Sequence, residues 1–138
     1  MGHELRRRSD EPLTVPGIER MLRTEFASVA VDIEGGAQYV RERAERIEAY
    51  PPSFFEHRIA TIAARRRTLI ERTKELRALP LGLAARFTFS DDDGLEMDFV
   101  FVPGDAIVFG YRGQADEDMR RPLVDRCAHA LDCDVVLF

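Results

Sequence analysis

The sequence predicts an α+β protein, and three features carry that prediction. Residues 37–79 repeat apolar side chains every three or four positions, with a break at Pro51-Pro52. From Leu83 to Tyr111 the period falls to two, punctuated by Asp91-Asp92-Asp93-Gly94 and Pro103-Gly104-Asp105. A further helical stretch and the apolar run Asp134–Phe138 close the chain. The expected architecture is an antiparallel β-meander plus a carboxy-terminal strand, packed against a long helix and an amino-terminal helical hairpin.

Taken in order, residues 1–12 show no periodicity, and Arg6-Arg7-Arg8 is a charge run. They are expected to be a flexible tail. One domain then covers residues 13–138, with the helical hairpin at 37–79 and a sheet module at 83–138; 138 residues leave no room for two comfortable cores. Pro16-Gly17 opens a short helix that places Ile18, Leu22 and Phe26 on one face. Val29, Val31 and Ile33 alternate in a strand, which Gly35-Gly36 should break before a helix over Ala37–Tyr50. The glycines lack the spacing of a phosphate-binding loop, so they read as a turn.

Ser53–Leu79 is the longest uninterrupted helical stretch. Ser53 and Glu56 fit a capping box, Pro80 and Gly82 stop the helix, and at 1.5 Å per residue it would run about 40 Å. Its seam is Phe55, Ile59, Ile62, Arg66, Leu69, Thr73 and Leu76. The preceding helix can cover about half of it. The remainder, Arg65 onward, needs the sheet or a second subunit.

In the meander, Phe87, Phe89, Phe99, Phe101, Ile107, Phe109 and Tyr111 form one aromatic face, and the long helix is the expected cover. Asp-Gly at 93–94 is a hairpin signal, because glycine reaches positive φ without steric cost. Gly113–Glu117 reads as a loop. Since proline is disfavoured inside helices, the last helix is expected to start close to Pro122 and end at Leu131.

Composition narrows the function. The chain is 45% apolar and 33% charged with a net charge of −5, which argues against disorder and against general nucleic-acid binding. No apolar run reaches the length of a membrane span and no signal-peptide core is present, so a cytoplasmic protein is expected. Lys74 is the sole lysine, which points to GC-rich coding and a bacterial or archaeal source. Cys127, His129 and Cys133 match no zinc spacing. The acidic turn does not fit a calcium loop, because Phe89 and Val100 would occupy ligand positions. No metal and no cofactor is expected.

Two function classes remain. The first is a non-enzymatic protein–protein interaction, regulatory or adaptor protein that forms a homodimer through the long helix and takes a further protein partner on its acidic sheet face or terminal strand. Its interface residues would be Arg65, Arg66, Leu69, Arg72, Thr73 and Leu76. Residues 53–79 carry seven bases against three acids, a net +4, while residues 80–138 carry five against twelve, a net −7. A basic helix and an acidic sheet can pair within one chain or between two. The second class is a ligand binder or small enzyme whose pocket lies between the long helix and the aromatic face, edged by Glu56, His57 or Tyr111. His129 is a poorer edge residue, since it points away from its helix's apolar stripe. Phe87, Phe99 and Phe109 filling that corner would remove the pocket.

Overall fold

The computed structural model describes residues 2–49 and 59–138, apart from the side chains of 59–67. Its elements are β1 (Gly2–Arg7), α1 (Val15–Glu25), β2 (Ser28–Asp32), α2 (Ile33–Glu48), α3 (Ile59–Ala78), β3 (Ala85–Ser90), β4 (Glu96–Phe101), β5 (Ile107–Gly110), α4 (Gln114–Ala130) and β6 (Cys133–Leu137). The fold is α+β. Two antiparallel three-stranded sheets are ordered β2-β3-β4 and β5-β1-β6.

The expected amino-terminal tail is instead the central strand of the second sheet. His3 pairs with Phe109 and Leu137, and Leu5 pairs with Ile107 and Val135. His3 and Leu5 are buried while Arg6 is exposed, which is the alternation of a strand. A polar residue at one of its inward positions hides that pattern. The arginine run is spent on the fold: Arg7 donates to the Leu131 carbonyl, and Arg8 pairs with Asp134 at 2.8 Å.

The meander is divided between the two sheets, and register explains why. Asp105 N donates to the Val102 carbonyl at 3.0 Å, closing a two-residue turn over Pro103-Gly104. Continuing a hairpin from that turn would place Phe99 opposite Val108, a core residue against a half-exposed one. A one-residue mismatch turns a whole strand face outward. β5 therefore leaves β4 and pairs with β1. The β3–β4 hairpin forms as expected, with Gly94 at φ +85° in its turn.

Three helices differ from their expected bounds or role. α2 begins at Ile33, before the glycine pair, because Asp32 caps it: its Oδ1 accepts from Gly35 N at 2.8 Å. α4 begins at Gln114, eight positions before Pro122. Asp116 and Glu117 suit its first turn, and pairs at i,i+4 (Gln114–Asp118, Arg120–Asp116, Arg121–Asp125) offset the bond lost at the proline. The described part of the long helix is α3; the expected Ser53–Glu56 cap lies outside the described residues.

The aromatic face is covered by α1 and α4, not by the long helix. Ile18 and Leu22 of α1, Phe26 just past its end, and Leu123, Val124 and Cys127 of α4 share one core with Phe87, Phe89, Phe99 and Phe109. The rings touch: Phe87–Phe99 stack at 5.3 Å, and Phe99–Phe109 meet edge-on at 5.9 Å. α3 belongs to a smaller second cluster, where Leu76 meets Val40, Ala44, Ala84 and Val102.

Candidate interaction site

The carboxy-terminal turns of α3 pack on their own chain. Thr73 and Leu76 are buried, and the Thr73 hydroxyl donates to the Leu69 carbonyl at 2.9 Å. Arg72 reaches across to the β4–β5 turn, donating to the Pro103 carbonyl and to Asp105 Oδ1, both at 2.8 Å. Arg43 of α2 donates to the other oxygen of Asp105. One carboxylate thus ties α2, α3 and the turn together, a geometry suited to two guanidinium forks. Arg77 and Glu48 make a second, exposed link of 2.7 and 2.5 Å. That hydrogen bond holds the Glu48 carboxyl below its usual range.

These contacts divide the expected interface. Thr73 and Leu76 are covered within the chain and present no surface to a partner; their burial follows from the seam spacing that singled them out. Arg72 is committed to Asp105. Leu69 is half-buried, Ile70 is 44% exposed, and Glu71 and Lys74 are exposed. The side chains of Arg65 and Arg66 lie outside the described residues. Beside this segment, α2, the end of α3 and the following loop line a groove of about 330 Å³, with Val40, Ala44, Leu76 and Leu79 at its base and Leu81 at its lip, 76% exposed.

Among the described residues, no pocket forms between the long helix and the aromatic face, because α1 and α4 cover that face. Phe87, Phe99 and Phe109 fill the corner and are themselves buried. Glu56 and His57 lie outside the described residues. His129 is exposed near the end of α4. Tyr111 faces His3, whose Nδ1 lies 2.9 Å from the phenol oxygen. Arg121 lies 2.9 Å from His3 Nε2. A guanidinium can only donate, so Nε2 accepts and the ring hydrogen sits on Nδ1, directed at Tyr111. Both ring nitrogens are occupied, and burial pushes the Tyr111 phenol above its ordinary value. The cluster fastens β1 to α4.

Other candidate groups have structural roles as well. Asp91 Oδ1 accepts from the Asp93 and Leu95 amides and shapes the hairpin turn. Asp98 pairs with Arg86 at 2.9 Å. Burial raises the thiols of Cys127 and Cys133, which keeps them protonated and poorly nucleophilic. Among the described residues, no group of three His, Cys, Asp or Glu side chains is placed to hold a metal ion, and no helix is long and apolar enough to cross a membrane. Sequence reasoning missed two organising residues. Asp105 looks like a turn residue, and nothing in the sequence marks its two arginine partners. His3 stands two places before Leu5, a strand period that a longer apolar run would have made visible. No family model, no curated protein and no solved structure matches the chain.

Proposed function

We propose that the protein is a non-enzymatic protein-interaction module of the cytoplasm, bacterial or archaeal in type, that assembles as a homodimer through α3. The observation that carries the reading is the gradient along this helix. Leu76 and Thr73 are buried, Leu69 is half-buried, and Ile70 beside it is exposed, so the chain's own cover is thinner at Leu69 than at Leu76. The apolar spacing does not thin with it: Ile62 and Ile59 continue the seam in the sequence. Apolar surface left without cover is what a partner helix or sheet buries. Arg65, Arg66, Arg67 and Lys74 make this region basic, and the 80–138 half of a second copy is acidic. Charge complementarity of that kind steers association and fixes register.

Light scattering tests the reading. The wild-type chain is expected to run at twice its 15.7 kDa mass at micromolar concentration. Ile70→Asp should leave the fold intact, because Ile70 is exposed, and weaken assembly at least about tenfold, since it sets an unpaired charge in an apolar contact. A wild-type protein that stays at the mass of one chain up to about 200 µM, well above the range of specific association, contradicts it.

A further inference from the structure

We infer that the outer edge of β6 is a self-association surface, which pairs antiparallel with β6 of a second copy and joins their two three-stranded sheets into one. The contact lies apart from α3 and does not depend on assembly there. In an antiparallel strand, alternate residues turn their backbone groups to opposite edges. Phe138 N donates to the Gly2 carbonyl and Arg8 N donates to the Asp132 carbonyl, so the even-numbered residues of β6 bond β1. The backbones of Cys133, Val135 and Leu137 are turned the other way. Among the described residues, β1 is the only strand paired with β6, and no hydrogen bond reaches the backbone amides of Val135 and Leu137.

The other sheet edges are occupied or cut short. β4 and β5 lie against each other, with Phe99 meeting Phe109 edge-on at 5.9 Å. β2 runs directly into α2 through the Asp32 cap. β6 has none of the usual guards of an edge strand: it contains no proline and no lysine, and its one charged residue, Asp134, is bonded to Arg8 at 2.8 Å. Leu137 is 64% exposed and Phe138 beside it 62%.

The second copy is the occupant because this edge complements itself. A two-fold axis through Val135 sets Val135 opposite its own counterpart and Cys133 opposite the second copy's Leu137, so every residue with outward backbone meets another. Three such pairs exchange about six hydrogen bonds. Asp134 then stands opposite Val136, and no like charges meet. Moving the axis to Asp134 would oppose two carboxylates. A shift to Asp134 or to Val136 also takes one outward residue beyond the facing strand. An isologous contact needs that self-complementarity, and a foreign strand has no use for it. β6 has five residues, against about 20–30 a side in a standard interface, so half-assembly is expected at about 50–500 µM. Combined with a contact at α3, the pairing would build closed tetramers or open chains.

The test follows amide exchange in the full chain at about 20 µM and about 1 mM, in wild type and in Ile70→Asp, whose α3 contact is weakened. Val135 and Leu137 should exchange at least about threefold more slowly at the higher concentration in both chains, because their amides gain partners. Leu137→Pro removes an outward amide that no ladder bond uses and should abolish that slowing at Val135. Retained protection at His3 and Leu5, which bond β5, verifies the fold of the variant, and the wild-type comparison needs no variant. Equal exchange at Val135 and Leu137 at both concentrations overturns the inference, and is the result given by an edge kept for a foreign strand. Self-association that leaves those amides unchanged, or undiminished slowing in folded Leu137→Pro, overturns it as well. Light scattering of Leu137→Pro reports helix-mediated assembly separately.

Discussion

Phe87→Ala is expected to lower the free energy of unfolding by about 3–5 kcal/mol, the range for removing a buried aromatic ring and leaving a cavity. Phe87 has no exposed surface, and its ring stacks on Phe99 at 5.3 Å. Phe99 in turn touches Phe109, which lies on the other sheet. The lost volume therefore sits where β3 and β4 meet the helices and strand β5. Rigid sheets on either side cannot collapse into it, which places the effect toward the upper part of that range. Domains of this size are stable by about 5–15 kcal/mol, so the variant should retain a small margin or none. Urea titration followed by circular dichroism measures this directly. A midpoint shift worth less than about 1 kcal/mol would mean the aromatic cluster is not the shared core.

Gly36→Ala should also destabilise, against the ordinary rule for helices. In an exposed helix interior, that substitution adds about 1 kcal/mol of stability. Gly36 is buried in α2 where the helix crosses β3, and an added Cβ would lie 2.5 Å from Ala85 Cα, 2.6 Å from Ala85 N and 2.7 Å from Ala84 C. All three atoms are backbone, so no side chain can rotate aside. Relief requires α2 to move off the sheet, which separates Val40 and Ala44 from Leu76, Ala84 and Val102. Overpacking of this kind costs about 1–3 kcal/mol. The same urea titration is the check, and a variant more stable than wild type would show that α2 and β3 do not approach so closely.

Several elements were legible because local chemistry and tertiary fate agree in them. α1 has Thr14 as a side-chain cap and Ile18 and Leu22 on its buried face, with Phe26 just past its end. The β3–β4 hairpin joins period-two runs through an Asp-Gly turn. Leu76 and Thr73 fall on the buried seam that their spacing marks. What stayed hidden depended on partners far away in the chain. β1 has a polar residue at a core position, which becomes intelligible once Tyr111 and Arg121 are seen to satisfy both ring nitrogens of His3. The path of β5 depends on the parity of one turn, and alternation alone does not reveal whether two adjacent runs can share a register. Pro122 discouraged the first half of α4, although that half carries its own i,i+4 pairs. The cover of the aromatic face was misassigned because length made the long helix prominent, whereas two shorter helices do the covering.

The site was less legible than the fold. The seam pointed to α3 and its charges, yet Thr73 and Leu76 are buried within the chain and Arg72 is tied to Asp105. Asp105 decides how far the helix is held by its own chain, since it anchors Arg72 and Arg43 at once. The residues beyond that anchor, from Leu69 backward, are where the interaction reading rests.

A spin label at Glu71 puts that reading to its most direct trial. Glu71 is exposed, and the native thiols of Cys127 and Cys133 are buried with raised pKa values, so Glu71→Cys is the position that labels. Assembly through α3 predicts a narrow distance distribution between two labels in the dimer, below about 40 Å, because two facing helices are about 10 Å apart and the labels lie near the contact. An absence of dipolar coupling at concentrations where the chain is a dimer would place the contact elsewhere and contradict the account.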